Sequence, residues 1–487
     1  MTNYEPIIGL EVHAELQTLS KMFCGCAVVD SVSATANTHV CEICTGMPGT
    51  LPVINQRAVE FAIRVALALH CEIAETSIFA RKNYFYPDLP KGFQISQYEL
   101  PLAVNGWMMI TTDVEEKKIA IRRVHLEEDT GKLFHRPTSS LIDYNRSGVP
   151  LLEIVSEPDL HSIDEVRAFA LELRSLLRYL EVSSADMEKG VIRFEANISI
   201  RPQGAESLGT RTEIKNLNSL RAMAQAISYE MDRQSQLLDA GQEVLQETLG
   251  WDEGLKVTVA QRGKEEAHDY RYFPEPDLPP LHLERSWIEE IRSKLPELAY
   301  AKRKRYIDEL ELNPYTATVL TSEKDVADYF EATIAAAPDL PAQEIGHWIS
   351  GPLFGLLNEN GIEIHETVIR VEQLSELIRL VEQGRINSSS AKAVLAEMFA
   401  TGAASSQIIE ARGLEILADS AIIDEHVKKV LGEFPDQVQQ YQAGKEPIFE
   451  WLFGQVMRIT SGRSDPERLR QSLARQLRAL DEHRPKE

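Results

Sequence analysis

The sequence predicts an α+β protein: a strand-rich body over residues 1–290, an all-α domain over 291–405 and a small helical tail over 406–487. Three observations carry this. The first ~290 residues mix short stretches of alternating apolar and polar residues, the period of a half-buried strand, with occasional helical runs. From Trp287 onward the spacing is helical almost throughout. The last helix is legible residue by residue: Asp465 caps it, Pro466 takes its first position, and Leu469, Leu473, Leu477 and Leu480 form one stripe.

Taken in order, the body opens on Ile7–Glu15, where Leu10, Val12 and Ala14 alternate with Glu11, His13 and Glu15. Helices are expected at Gln56–Leu69, Ile163–Tyr179 and Leu220–Ala240. Asn218 and Ser219 supply the N-cap of the last of these, and Gly241 its stop. Turns fall at Met47-Pro48-Gly49 and at Pro87–Gly92. Phe273–Pro280, with four prolines, reads as a linker or an ordered extended edge. In the helical part, breaks are expected at Pro314, Pro338 and Pro341, Gly361, Asn387–Ser390, Gly413 and Pro435.

A chain of 487 residues exceeds one ordinary core, so two to four domains are expected. Its net charge of −24 excludes a general nucleic-acid coat, because phosphate binding relies on Lys and Arg. A local exception lies between Gly454 and Leu480, where six Arg stand against Asp465 and Glu467. That asymmetry permits nucleic-acid contact at one end, although a solvated helix face has the same composition. No apolar run approaches the ~20 residues of a membrane span. The opening MTNYEPIIGLEVH lacks the basic and apolar regions of a secretory signal, so the expected compartment is the cytosol.

Four of the five cysteines fall close together, as Cys24-Gly-Cys26 and Cys41-Glu-Ile-Cys44. Four soft ligands in two turns suit tetrahedral Zn²⁺ in a closed structural site. Cys71 stands apart as a buried small hydrophobe. Read as a strand, Ile7–Glu15 turns Glu11, His13 and Glu15 to one side. That pattern fits equally an exposed edge strand and a face that holds a cation. Glu153 lies inside Val149–Val155, a run suited to a buried strand, and needs a metal, an Arg or a proton. His125–Asp129 adds three more acids. Three such clusters in one domain point to a hard cation such as Mg²⁺, which prefers oxygen ligands. On Val191–Arg201, Arg193, Glu195, Asn197, Ser199 and Arg201 form a polar face that suits a phosphate and its metal; a solvated sheet face looks similar. There is no P-loop and no Gly-x-Ser-x-Gly elbow, so any ATP is held another way.

Longer runs carry a resemblance. IGLEVHAELQT, CEICTGMPGTLP, ARKNYFYPDLPKGFQISQYELPL, VHLEEDTGK, LIDYNRSGVPLLEIVSEPD, ANISIRP, RTEIKNLNS, ETLGWDE, KEEAHDYRYFPEPDLPPL and FGQVMRITSGRSDP resemble, nearly end to end, the B-subunit family of the bacterial aspartyl/glutamyl-tRNA amidotransferases (GatB). The resemblance is looser in the C-terminal third. It implies a cradle-like catalytic domain of glutamine-synthetase type on an antiparallel sheet, followed by the helical domain and a tRNA-binding tail. It implies a carbon–nitrogen ligase in which ATP phosphorylates the side-chain carboxylate of Glu-tRNA(Gln) or Asp-tRNA(Asn). Ammonia then displaces the phosphate, supplied by an amidase A subunit that hydrolyses glutamine, with a small C subunit completing a heterotrimer. By the family's pattern, Mg²⁺ falls to Glu11, His13, Glu128 and Glu153, the choice of Glu128 over Glu127 resting on the resemblance alone. The family more often carries Cys-Asp where this chain has Phe194-Glu195. Arg468, Arg470, Arg475 and Arg478 are the expected tRNA contacts of the tail. A non-catalytic tRNA scaffold would keep the tail and the cysteine knob but would not need the acid clusters. The archaeal E-subunit family shares the cradle but carries an inserted domain, for which this chain has no room.

Overall fold

The structure is a computed structural model and describes residues 3–30, 33–262, 270–415, 420–460 and 462–482. Positions 264–269 and 461 of the runs quoted above lie outside the described residues. The chain forms two compact units, Met1–Ala301 and Lys302–Glu487. Among the described residues no helix is long and apolar enough to cross a membrane.

The first unit is built on a nine-stranded sheet. Its strands run in the order Val257–Arg262, Thr248–Asp252, Thr212–Leu217, Ile192–Pro202, Tyr4–Glu15, Pro150–Ser156, Glu116–Glu128, Ala103–Thr111 and Glu72–Ile73. Every neighbouring pair is antiparallel except Thr212–Leu217 with Thr248–Asp252. A parallel pair needs a crossover, and helix Leu220–Asp239 supplies it. Tyr4–Glu15 therefore lies in mid-sheet, hydrogen-bonded on both sides, which rules out the edge-strand alternative for Glu11 and His13.

Period-2 alternation decides which face is which. Ile8, Leu10, Val12 and Ala14 join Phe194, Ala196, Ile198, Leu152 and Ile154 in one core. Helices Gln56–Ala68, Ile163–Tyr179 and Leu220–Asp239 pack their buried faces into that same core. With helices covering the apolar side, the polar residues of the same strands are left on the other. Each helix starts at a side-chain cap: Asn55 accepts from the N–H groups of Arg57 and Ala58, Ser162 from Glu165, and Ser219 from Ala222. Each such cap contributes roughly 0.5–2 kcal/mol.

A smaller three-stranded sheet combines Phe273–Pro274, Ala80–Asn83 and Phe93–Ser96. The proline-rich segment is thus an ordered edge rather than a linker. Arg81 locks it in place, donating to both carboxylate oxygens of buried Glu275 at 2.7 Å while lying over the Phe93 ring.

The second unit is helical and, among its described residues, has two apolar cores. One gathers side chains from Tyr306 to Ile409, including Ile408 and Ile409 of helix Ser405–Arg412. The other gathers Ile423 to Leu477. Pro352 sits inside a single π-turn, Ile349–Leu353, between helices Ala342–Trp348 and Phe354–Asn360. The wider turn admits a residue that has no N–H to donate. Gly361 ends Phe354–Asn360 in the left-handed region at φ 64°, where a side chain would be strained. On the last helix, Pro466–Glu482, Leu469, Leu473 and Leu477 are buried as the stripe requires, but Leu480 is 47% exposed and lies beyond the core.

Candidate active site and metal centres

Strand register assembles the acid cluster. Across four adjacent strands, Arg193, His13, Glu153 and His125 are direct cross-strand neighbours in one row. Glu195 stands opposite Glu11 in the neighbouring row. His13 Nε2 lies 3.3 Å from Glu153, 3.6 Å from Glu127 and 3.7 Å from Glu11, and His125 Nε2 lies 3.4 Å from Glu153. Ligand atoms of Glu11, His13 and Glu153 fall within 4.8 Å of one another, and so do those of His125, Glu127 and Glu153. So three of the four residues expected to hold Mg²⁺ come together. Glu128 does not join them. It follows Glu127 on the strand and so turns the other way. There both its oxygens accept from Lys91, and one also accepts from the Ile95 N–H at 2.8 Å. Glu127, two residues from His125 and therefore on its face, takes the place beside His13.

Charge is concentrated here. Burial, with Glu153 beside it, pushes Glu11 up to about 7. Burial would lower the His13 imidazole, but its hydrogen bond to Glu153 and the charges of Glu153, Glu127 and Glu195 outweigh this and lift it to about 9. Glu153 is 3% exposed; burial opposes its charge, yet His125 and His13 hold it well below the usual carboxylate range. A proton on His13 is thus sequestered by three carboxylates, a demand for positive charge that a hard dication would also meet. Among the described residues, buried His125 Nδ1 and Arg123 Nε have no hydrogen-bond partner, leaving polar capacity for a ligand.

The polar face of Ile192–Pro202 is half-buried rather than a solvated outer surface, but it does not converge on one point. Arg193 donates to Asp129 at 2.8 Å at the cluster end. Glu195 is fixed by Lys215 at 2.6 Å, and the Lys215 charge, acting against burial, holds its carboxyl low. Asn197 stands opposite Gly9 on one side and Glu213 on the other, and Ser199 is buried opposite Ile7. Arg201 pairs with Glu5 at 2.5 Å. Eight residues of strand separate Arg193 from Arg201, about 26 Å, so one phosphate cannot touch both. Arg193 and Glu195 border the cluster; Arg201 does not.

Lys82 escaped the sequence reading. Burial would lower its ammonium, but Glu127, Tyr272 and Glu153 face it and raise it instead. The available signal was its strand parity within Ala80–Asn83, which is uninformative until that strand is known to lie over the sheet.

The cysteine quartet closes as its spacing predicts. The four Sγ atoms lie within 4.8 Å of one another, with those of Cys41 and Cys44 3.9 Å apart. Zn–S bonds of about 2.3 Å place tetrahedral sulfurs about 3.8 Å apart, so the quartet fits. The Cys41 N–H donates to Cys44 Sγ at 3.1 Å, and fully buried Lys21 donates to the same sulfur at 3.5 Å. A hydrogen bond from Cys24, opposed by burial and aided by the Cys41 backbone and Lys21, draws the Cys44 thiol down to about 4. Burial pushes Cys26 up to about 11. Gly46 at φ 72° admits Lys91 where a Cβ would stand 2.8 Å from the Lys91 Cγ, tying the cysteine turn to the partner of Glu128. Cys71 is buried, its thiol pushed up to about 12 by that burial.

In the tail, all four arginines are exposed. Arg470 is clamped by both oxygens of Glu450 and lies over Phe453, and Arg475 is held by both oxygens of Asp424. Arg468 and Arg478 are exposed on the same helix.

Residues 6–289 match the GatB/GatE catalytic domain and residues 328–477 match the GatB domain. Three relatives are named as the B subunit of an aspartyl/glutamyl-tRNA(Asn/Gln) amidotransferase. The one from Moorella thermoacetica is 49% identical over 467 residues, spanning 95% of this chain and 97% of its own. That of Persephonella marina is 48% identical over 95% and 97%, and that of Carboxydothermus hydrogenoformans 46% over 99% and 100%. The acid cluster, the cysteine quartet and all of the nine-stranded sheet but Tyr4 and Glu5 fall within the matched catalytic domain, and the chain belongs to the family of aspartyl/glutamyl-tRNA(Asn/Gln) amidotransferase B subunits.

Proposed function

We propose that this chain activates the side-chain carboxylate of Glu-tRNA(Gln) or Asp-tRNA(Asn) with ATP and passes it to ammonia, giving Gln-tRNA(Gln) or Asn-tRNA(Asn). The observation that carries the reading is the buried Glu11–His13–Glu127–Glu153 cluster at mid-sheet. The sheet with helices on one side and reactive groups on the other supports the cradle of glutamine-synthetase type. An amidase A subunit supplies the ammonia, and a small C subunit completes the assembly.

A carboxylate is a poor electrophile toward ammonia, so it must first become an acyl phosphate. Its approach to the γ-phosphate sets anion against anion, and most of the work is neutralisation and positioning. Glu11, His13, Glu127 and Glu153 would hold Mg²⁺, which supplies the charge that lets the two anions meet. Arg193, held at its far side by Asp129, presents its guanidinium at the rim of this site. Lys82, on the small sheet, faces Glu127 and Glu153, and its charge, with that of Arg193, would help hold the acyl phosphate away from water. Cys24, Cys26, Cys41 and Cys44 hold a structural Zn²⁺, and the tail contributes to tRNA binding.

In the assembled enzyme, Glu153→Gln should abolish formation of amidated tRNA while the partner's glutaminase activity persists. Melting temperature must be followed alongside, because loss of one buried charge destabilises its partners. A folded Glu153→Gln enzyme that amidates tRNA at the normal rate with normal Mg²⁺ dependence would place the chemistry elsewhere.

A further inference from the structure

The cysteine quartet stands outside the acid cluster, yet it is connected to both strands that carry His125, Glu127 and Glu153. Buried Ser147 donates its hydroxyl to the Cys44 carbonyl at 3.0 Å. Gly148 packs so closely that a Cβ there would stand 3.4 Å from the Cys44 Cβ, 3.5 Å from the Lys21 Cδ and 3.9 Å from a Glu128 oxygen. The Met22 N–H donates to the Gly148 carbonyl at 2.7 Å, the Gly148 N–H to that of Asp129 at 2.9 Å, and the Asp129 N–H to that of Val149 at 2.8 Å. This turn runs straight into Pro150–Ser156, which carries Glu153, and borders the end of Glu116–Glu128, which carries His125 and Glu127. A second connection runs from Gly46 through Lys91 to Glu128. A staple that only pinned a loop would need neither.

Lys21 converts the charge of the quartet into position. Its fully buried ammonium donates to Cys44 Sγ at 3.5 Å and to the Tyr144 carbonyl at 3.3 Å. Once Cys44 Sγ belongs to a disulfide it carries no charge, and a buried ammonium that loses the anion it bonds is unstable where it stands. Lys21 must then move or draw in water, and the next residue, Met22, is the one that holds Gly148. The sulfurs are placed for such a change. Cys41 is half-buried and Cys44 buried, with their Sγ atoms 3.9 Å apart. An oxidant from solvent reaches the first, and the second is near enough to close on it.

We propose that the quartet is a reversible redox switch, in which a peroxide joins Cys41 to Cys44, frees the metal and halts the chemistry at Glu153. The Cys41 thiolate attacks one oxygen of hydrogen peroxide. The O–O bond breaks, sulfur gives up two electrons, and the departing hydroxide takes a proton and leaves as water. The Cys44 thiolate then displaces hydroxide from the sulfenic acid, and a second proton makes that water too. Two thiolates, one hydrogen peroxide and two protons thus give one disulfide and two waters. Cys24 and Cys26 remain as two ligands where four closed the site, too few to keep the ion from solvent. The activity being switched rests on the proposed function, whereas the fate of the thiols and the zinc does not.

The test is a hydrogen peroxide titration of the assembled, unmodified enzyme. Zinc is followed with a chromogenic chelator, the disulfide by peptide mass mapping, and activity as amidated tRNA. Release of about one zinc per chain, a Cys41–Cys44 linkage and loss of amidation should advance together. Dithiothreitol with added zinc should restore amidation. Stripping the metal with a strong chelator in dithiothreitol should cause the same loss, which separates it from oxidation elsewhere in the assembly. The switch is overturned if amidation survives zinc release, if it is lost while zinc and all four thiols persist, or if reduction and zinc fail to restore it. A reduced enzyme that forms no amidated tRNA at all removes the proposed function, whereas one that amidates but is indifferent to the disulfide removes the switch alone.

Discussion

At the scale of single residues, Lys21 makes a demand that the cysteines alone do not. A fully buried ammonium has left water, and its partners are one thiol sulfur and the Tyr144 carbonyl at 3.3 Å. Four thiolates around one dication carry net negative charge, and Lys21 is placed to offset part of it. Hydrogen bonds to charged groups contribute about 1.5–3 kcal/mol. Lys21→Met, which keeps the apolar stem, should therefore release zinc to a chelator at least tenfold more readily and lower the melting temperature. Unchanged zinc retention would leave Lys21 as a packing residue only. The purified protein should hold about one zinc per chain, and a Cys41→Ser/Cys44→Ser double variant that kept this stoichiometry would sink the assignment. The cysteine cluster was legible because its four residues lie in two short turns. The acid cluster was legible only in part, because strand parity groups Glu11 with His13 but says nothing of who stands opposite. Glu127 and Glu128 show the limit. Parity with His125 separates them, but only once the strand is known to run unbroken to its end.

At the scale of elements, the C-terminal helix separates into a buried seam and an outward face. Leu469, Leu473 and Leu477 are integral to the tail core, so deleting the helix would expose that core and confound any binding assay. Charge reversal is the cleaner probe. All four arginines are exposed, Arg470 and Arg475 while paired with Glu450 and Asp424, and Arg468 and Arg478 can be reversed without breaking those two pairs. Arg468→Glu/Arg478→Glu should raise the KM for aminoacyl-tRNA and make its salt dependence shallower by about one unit of slope per arginine that touches phosphate. The KM for ATP should not move. Wild-type tRNA affinity across a salt series would return this helix to a solvated face. The leucine stripe was readable from 3.6-residue spacing, but Leu480 was not separable from it, because periodicity does not report where a neighbouring helix stops.

At the scale of the whole molecule, the apolar core of the first unit draws on residues from Ile8 to Ile291 and is contained within it. A fragment ending at Ala301 is therefore expected to fold by itself and to unfold cooperatively, as single-core units do. Circular dichroism melting with zinc analysis checks this. A fragment that melts without a transition, or that loses its metal, would show that the helical unit is needed for the sheet to form. The division into a strand-rich body and a helical remainder was visible as a change of period near Trp287. The order of strands was not, because the neighbours of each central strand lie far away in the chain.

The mid-sheet place of Tyr4–Glu15 has a consequence for synthesis. Glu11 pairs with Val155, and Ile8 with Ile198. A ribosome adding about 5–20 residues each second therefore leaves this strand on the order of ten seconds without either neighbour. Throughout that interval both of its hydrogen-bonding rims and the apolar row from Ile8 to Ala14 stand open to other nascent chains. The segment that carries two residues of the acid cluster is thus the one most in need of shelter, by a chaperone or by slow local traffic, before the sheet can close around it.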